Sequence, residues 1–361
     1  MKQQILCVIL FLIMVTSLTA LEVSDGQMKL VLYNNIGRFS VYYLSDAEKQ
    51  SYTSFFLDSD VRTSLLTIVA DSKVYRMGES VAFKEAIEKT SNGAKIVWIS
   101  NSLEIVEDFS FISSNSSAIT DGVHVTLSIT NKSDSDMKIG ARYLFDTVLG
   151  ESSYVHFKTP FQDSMTNETF FTKSDMIDYW VSPSSNDPEN VALQVVTKGS
   201  GITTPDKVIF ANWKRLNETA WNYTESSSRN FTQMPYSVND SAVCHYYDPV
   251  VVKSGSALNI SFVIANYSSS GFSISSSGST DSAIKDILAK ADAGKLENTK
   301  LSSGSTTMIL NLKSDITTIS NLIIELNKKL ADTENVTEAD IESLKKIITE
   351  LEDKLKKYKG K

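Results

Sequence analysis

Hydrophobic and polar residues alternate in short segments over the first two thirds of the chain. Residues 28–44 form two apolar and aromatic runs around Asn-Asn-Ile-Gly, a turn sequence whose Asn and Gly accept positive φ. Further segments rich in β-branched and aromatic residues are separated by clusters of Ser, Asn, Asp and Gly. They are 94–100, 103–112, 123–130, 138–150, 192–197, 207–213 and 257–266. The pattern predicts a large antiparallel β-sandwich over residues 21–266, and the lack of a dividing Pro/Gly linker favours one sandwich over two.

The composition changes after this region. Residues 267–280 are rich in Ser and Gly, which is typical of a linker with little to bury. Over residues 281–361, Lys, Glu, Leu and Ile dominate, and we predict an α-helical coiled-coil region there. Its helices are expected at about 281–296, 307–331 and 338–358.

Apolar residues in the second and third of these helices follow a heptad spacing that alternates between three and four residues. These residues form a predicted assembly seam: Ile309, Leu312, Ile316, Ile319, Ile323, Leu326, Leu330, Ile341, Leu344, Ile348, Leu351 and Leu355. Thr337 with Asp340 resembles a capping box that opens a new helix, so we favour an antiparallel hairpin. One long helix with a stutter and a self-contained three-helix bundle are the alternatives.

The first residues indicate where the protein is located. Residues 1–20 combine a charged start at Lys2, an apolar run and a closing small residue at Ala20, as in a secretory signal peptide. An uncleaved membrane anchor is the alternative. No later segment is apolar for long enough to cross a bilayer, so we expect an exported protein, periplasmic or at the cell surface, with no transmembrane segment in the mature chain. Cys244 is its one remaining cysteine and excludes an intramolecular disulfide.

The charge and the scarcity of catalytic residue types limit the function classes. A formal net charge of −8 argues against nucleic acid and anionic membranes as partners. The three histidines lack metal-site spacing, and we predict no metal, no cofactor and no catalytic residues. The best catalytic candidate is the segment 141–157, with Arg142, Asp146, Glu151 and His156. A structural Arg142–Asp146 tie or a strand-end cap is favoured over an acid/base pair.

Two dense stretches, 211–223 and 236–249, combine aromatic side chains with amides and charges. They could form a platform for a sugar, with the predicted ligand residues Trp213, Arg215, Asn217, Trp221 and Asp240. Alternatively, the tryptophans are large core anchors and the amides satisfy backbone groups in long loops. The sequence favours this second interpretation.

Within these segments lies a resemblance to known proteins. The Arg-x-Leu-x-Asp-Thr-x-x-Gly stretch that begins at Arg142, together with Asn212, Trp213 and residues 236–242, is similar to a group of uncharacterised exported spirochaete proteins. Some such proteins resemble the supersandwich of carbohydrate-binding and mutarotase-like proteins. The resemblance covers most of residues 21–266 and implies a periplasmic location and a sandwich, but it supplies no catalytic residues.

These observations predict a non-catalytic periplasmic structural or interaction protein. Its sandwich would dock on a protein partner, and the C-terminal helices would mediate homo-oligomer formation or other assembly. The alternative is a carbohydrate-binding module or carbohydrate-active enzyme that binds a glycan in the region 211–247.

Overall fold

The structure is a computed structural model that describes residues 20–185, 191–236 and 238–274. The strands of its first half are β1 (Ala20–Asp25), β2 (Met28–Tyr33), β3 (Arg38–Asp46), β4 (Ser51–Ser54), β5 (Leu65–Ala70), β6 (Lys73–Arg76), β7 (Lys84–Thr90), β8 (Gly93–Ile99), β9 (Leu103–Ile112), β10 (Gly122–Asn131) and β11 (Met137–Asp146). They are followed by β12 (Phe157–Thr159), β13 (Gln162–Met165), β14 (Thr169–Thr172), β15 (Tyr179–Pro183), β16 (Ala192–Val196), β17 (Lys207–Asn212), β18 (Thr232–Gln233), β19 (Val238–Asn239), β20 (Ser241–Val252) and β21 (Ala257–Asn266). The described helices are α1 (Leu149–Ser153) and α2 (Trp213–Glu218).

Two large antiparallel sheets form a β-sandwich, which confirms the predicted fold class. One has nine strands in the order β13-β12-β15-β16-β21-β10-β9-β8-β7, and the other has six in the order β14-β17-β20-β11-β5-β6. Strands β1 to β4 make a further sheet in sequence order. The turn predicted between 28 and 44 lies between β2 and β3, with positive φ at Asn35 and Gly37.

Side chains from the sheets interdigitate in one large hydrophobic core. Alternate residues of β9 and β10 are buried, as a strand with one core-facing side requires. Aromatic contacts cross between the large sheets: Tyr143 on β11 lies 4.9 Å from Phe262 on β21, and Trp180 on β15 lies 6.0 Å from Phe210 on β17, centroid to centroid. Apolar residues of β2 and β3, among them Leu30, join the same core.

A second, smaller cluster covers the opposite face of the six-stranded sheet. It includes Leu144, Cys244 and Leu216, and Trp213, Trp221 and Tyr223 pack against it. Because alternate residues of β11 face opposite sides, Arg142 and Leu144 point to this cluster while Tyr143 and Phe145 point to the main core. The sequence predicted this division of β11.

Several sequence predictions fall outside the described residues. They are the signal peptide, apart from Ala20, residues 275–280 of the Ser/Gly linker, and the three C-terminal helices with their assembly seam. Neither described helix has the length and hydropathy needed to cross a bilayer.

Candidate functional site

Polar side chains converge at one end of the six-stranded sheet. Strand β11 ends at Asp146, and the neighbouring β20 begins at Ser241 with Asp146 opposite Ala242. The chain then turns into α1, which carries Glu151, and His156 follows two residues after Tyr154. Antiparallel pairing therefore brings the segment 146–156 next to residues 239–241, which lie far away in sequence. We call Asp146, Glu151, His156 and Asp240 the carboxyl–histidine cluster.

Glu151 is fixed against the start of β20. Its Oε1 accepts a hydrogen bond from the backbone N–H of Ser241 at 2.9 Å, so its carboxyl lies at the peptide that joins Asp240 to Ser241. Burial raises the pKa of Glu151 to about 7, the hydrogen bond from Ser241 opposes that rise, and the charge of Asp240 adds to it. Burial also raises the pKa of Asp240 to about 6.

Asp146 is a third desolvated carboxyl at this end of the sheet. It is buried, and burial raises its pKa to about 8, against a hydrogen bond from Thr63 and with the charges of Asp240 and Glu151. The three carboxyls thus lie within each other's electric field. Near neutral pH, Asp146 holds its proton, Asp240 is mostly ionised, and Glu151 exchanges between both forms.

His156 is a buried neutral imidazole beside these carboxyls. Its Nε2 accepts from the side-chain amide of Asn239 at 3.1 Å, and its Nδ1 lies 3.0 Å from the hydroxyl of Ser241. Because the amide is a donor, the ring proton sits on Nδ1 and is donated to Ser241 Oγ. Burial lowers the pKa of His156, and its ring packs on Phe231 at 4.9 Å between centroids. The imidazole therefore orients Asn239 and Ser241 on either side of Asp240.

Exposed apolar side chains flank the cluster in sequence. Tyr154 directly follows α1 and is 73% exposed, and Val238 on β19 precedes Asn239 and is 49% exposed. Met234 and Tyr236 lie between β18 and β19 and are 66% and 65% exposed. The Nζ of Lys214 on α2 lies 4.5 Å from the ring centroid of Tyr236. We call Tyr154, Met234, Tyr236 and Val238 the apolar rim.

The predicted ligand residues Trp213 and Trp221 are half-buried. The ring N–H of Trp213 donates to the carbonyl of Thr63 at 2.9 Å, and Trp221 meets the edge of Tyr246 at 5.8 Å between centroids. Both rings pack against the smaller apolar cluster under α2. The bend predicted between them is the helix α2, capped by Asn212, whose side chain accepts from the backbone N–H groups of Lys214 and Arg215.

Arg215 and Asn217 are also engaged within the protein. The guanidinium of Arg215 donates to Glu168 at 3.0 Å and to the carbonyls of Asn230 and Thr232. Asn217 accepts a hydrogen bond from Arg76. Of the five predicted ligand residues, Asp240 is the one that belongs to the carboxyl–histidine cluster. A ligand role for the other four remains a prediction.

The structural tie expected between Arg142 and Asp146 is replaced by other contacts. Arg142 donates to the carbonyls of Leu216, Thr219 and Ala220 and to the hydroxyl of Tyr246. The two residues have the same parity along β11 and so lie on the same face, but the four-residue separation puts them about 13 Å apart, and Arg142 instead anchors the chain after α2.

Part of the cluster could be recognised in the sequence. Asp146, Glu151 and His156 stood in the best catalytic candidate, and Asp240 in the second dense stretch. Asn239 and Ser241 gave no separate signal, since their role depends on the pairing of β11 with β20. Within the described part of the chain, no group of His, Cys, Asp and Glu is arranged to hold a metal ion.

Comparisons with known proteins concern the fold. No family model and no curated protein matches the chain. Among solved structures, a candidate aldose 1-epimerase from Escherichia coli K12 has 10% identity and a TM-score of 0.43, with 69% of this chain and 99% of that chain covered. A galactose mutarotase related enzyme from Lactobacillus acidophilus has 11% identity and a TM-score of 0.43, with 71% and 100% covered. A galactose mutarotase-like protein from Lactobacillus casei has 8% identity and a TM-score of 0.42, with 69% and 100% covered.

All three of these structures are described as sugar-related enzymes or enzyme-like proteins. Against these descriptions we correct the prediction of a non-catalytic structural or interaction protein and do not develop it further. The alternative, a carbohydrate-active protein, is the hypothesis that we develop below from the residues of the site.

Proposed function

We propose that the protein binds a carbohydrate between the apolar rim and the carboxyl–histidine cluster and performs acid–base chemistry on it. The observation that carries this proposal is the convergence of Glu151 and Asp240 at the start of β20, next to exposed apolar side chains. Sugar rings present apolar C–H faces as well as hydroxyls, so a site for them needs both kinds of surface. The apolar rim can pack against the C–H faces of a sugar, and the carboxyls can bond to its hydroxyls.

The carboxyls have suitable and different proton affinities. With pKa values of about 7 for Glu151 and about 6 for Asp240, one can donate a proton while the other accepts one near neutral pH. In the proposed step, Glu151 donates its proton to a sugar oxygen and Asp240 takes a proton from a hydroxyl of the same sugar. The sugar thus gains and loses one proton. Because Asp146 is protonated at this pH, its side chain adds no further negative charge beside Glu151 and Asp240.

His156 is a positioning residue in this proposal. It touches Asn239 and Ser241, the two neighbours of Asp240, and holds the backbone that carries the Asp240 carboxylate. Export to the periplasm and kinship with exported spirochaete proteins remain further proposals, which rest on the sequence of residues 1–20 and on the quoted motifs.

The experiment is a turnover screen. The purified protein is incubated with a panel of free aldoses and oligosaccharides, and anomer exchange and bond cleavage are followed by proton NMR. We expect one carbohydrate class to react with the parent, and Glu151→Gln and Asp240→Asn to lose at least a hundredfold in rate while remaining folded. The matched control is Glu48→Gln, at an exposed carboxylate outside the site. Equal rates in the parent and both site variants would overturn the proposal.

A further inference from the structure

A cavity of about 360 Å³ opens on the outer face of the nine-stranded sheet, near its β13 edge. Its walls come from β12, β13 and β15 and from the residue that follows β21. The volume falls within the range of small-molecule sites in proteins. The lining residues on which the argument rests are Lys158, Asp163, Tyr179, Val181, Pro183 and Tyr267.

The strand register explains why this face is lined by these side chains. Tyr179, Val181 and Pro183 alternate along β15, so they share the face opposite to Trp180, which is buried in the main core. Lys158 on β12 is directly opposite Val181. Tyr267 is held in place by its backbone N–H, which donates to the carbonyl of Ala192. The cavity therefore rests on paired strands, which fix its floor.

Aromatic rings form one wall and extend beyond it. The rings of Tyr179 and Tyr267 lie 6.1 Å apart, centroid to centroid, with an angle of 50° between their planes. The turn between β12 and β13 contributes Pro160 to the lining. The next residue, Phe161, is 84% exposed at the tip of this turn. An exposed phenylalanine beside a cavity is a large apolar surface left open to a ligand.

The polar part of the lining carries one charge of each sign. Lys158 is a donor of hydrogen bonds and Asp163 is an acceptor, and neither forms an ion pair within the part of the chain that the structure describes. A ligand with a net charge would be attracted by one of them and repelled by the other. Hydroxyl groups, which both donate and accept, match the pair without such a conflict.

From these features we infer that the cavity is a saccharide subsite, distinct from the carboxyl–histidine cluster, for a neutral sugar unit. The sugar would pack a C–H face on Tyr267 or Phe161 and direct hydroxyls to Asp163 and Lys158. This inference rests on the proposed carbohydrate function and assigns to it a second contact surface. No residue of the cavity is a catalytic residue here, so the subsite acts on affinity.

The test measures binding of D-glucose, D-galactose and maltose by saturation-transfer difference NMR, with dissociation constants from titrations. The variants are Tyr267→Ala and Asp163→Asn, the second at an exposed residue that carries little folding risk. Phe161→Ala tests whether the exposed ring at the tip of the β12–β13 turn contributes to affinity. The matched control is Phe170→Ala, which removes a 42%-exposed phenylalanine from β14 in the other sheet.

We expect at least one probe to bind the parent, with a tenfold or larger loss of affinity in Tyr267→Ala and Asp163→Asn and no change in Phe170→Ala. Parent-like affinity in both cavity variants, or no binding of any probe by the parent, would overturn the inference. The proposed function is judged separately, by the turnover of Glu151→Gln. A cavity without affinity and an active cluster would thus refute the subsite alone.

Discussion

The Oε1 atom of Glu151 accepts a hydrogen bond from the backbone N–H of Ser241 at 2.9 Å and so joins α1 to the first residue of β20. This contact places a half-buried carboxyl beside Asp240. It also links two chain segments that antiparallel pairing of β11 with β20 brings to one end of the sandwich. The predictions below concern this site, the network that holds it and the core beneath it.

The first prediction is the pH dependence of turnover. The proposed step needs Glu151 protonated and Asp240 ionised, and their pKa values are about 7 and about 6. The rate should therefore peak between about pH 6 and 7, fall below the range as Asp240 gains a proton, and fall above it as Glu151 loses one. A rate measured from pH 4 to 9 checks this. A rate that rises steadily through this interval would contradict the assignment of Glu151 as the acid.

The second prediction concerns Glu107, a fully buried carboxyl in the main core. It accepts a hydrogen bond from the hydroxyl of Tyr143 at 2.8 Å, and burial raises its pKa to about 8. Since the unfolded chain releases this proton near the ordinary value for Glu, the contribution to stability is complete below about pH 4 and declines as the pH rises to about 8. The slope reaches ~1.4 kcal/mol per pH unit.

Glu107→Gln should lower the slope by up to this amount, because glutamine resembles the protonated carboxyl in shape and does not titrate, while Asp146, Glu151 and Asp240 keep their own contributions. Urea unfolding between pH 4 and 9 measures the effect. Glu104→Gln, on the outer face of the same strand β9, is the control and should keep the slope of the parent. Identical pH profiles for the parent and Glu107→Gln would show that the carboxyl does not titrate in this range.

The third prediction concerns the network around Glu168. This buried carboxylate accepts from Arg215 and from the hydroxyl of Tyr223 through Oε1, and from the backbone N–H of Ser226 through Oε2. Arg215 in turn holds the carbonyl of Thr232 at the start of β18. Glu168→Gln should cost about 2 kcal/mol of unfolding free energy, because charge-assisted hydrogen bonds are lost while the partner remains partly buried.

Hydrogen exchange gives a local reading of the same change. The segment 223–232 should exchange faster in Glu168→Gln, because its backbone depends on these contacts, whereas strands β9 and β10 should keep their protection. Glu48→Gln, at an exposed position, is the control for a lost carboxylate. Unchanged exchange in 223–232 would show that the network does not hold this segment.

The fourth prediction separates the two interpretations of the tryptophans. Trp213→Ala and Trp221→Ala should each cost about 2 to 3 kcal/mol of stability, because both rings pack against the smaller apolar cluster. Affinity for a carbohydrate should stay at the parent value, since the ring N–H of Trp213 is already bonded to Thr63. A folded variant with at least tenfold weaker carbohydrate binding would restore these residues as ligand contacts.

Much of the sandwich could be predicted because its strands show one buried face. Strands β9 and β10 alternate, and their boundaries, like those of β21, follow the apolar pattern closely. Strand β5 was missed, because it is buried along its whole length and so lacks alternation. Strand β20 was missed for a different reason: its aromatic and polar residues, among them His245 and Tyr246, were interpreted as a possible ligand site.

The site was harder to predict than the fold. Asp146, Glu151 and His156 were recognisable as neighbours in sequence, but the segment that completes the cluster pairs with them only through the register of β11 and β20. Trp213 and Trp221 attracted attention as ligand residues because the segment around them is dense in aromatic, amide and charged side chains. Their half-buried position depends on α2 folding back over the six-stranded sheet, which periodicity over six residues does not reveal.

The most direct measurement is a carbon-13 NMR titration of the Glu151 carboxyl, whose resonance is assigned by its loss in Glu151→Gln. The titration is recorded without and with the carbohydrate that the turnover screen identifies. The account predicts a midpoint near pH 7 in the free protein, as burial beside Asp240 requires, and a shift of that midpoint when the carbohydrate is bound. A midpoint at the ordinary value for Glu, unchanged by a saturating carbohydrate, would contradict a role for this carboxyl in acid–base chemistry.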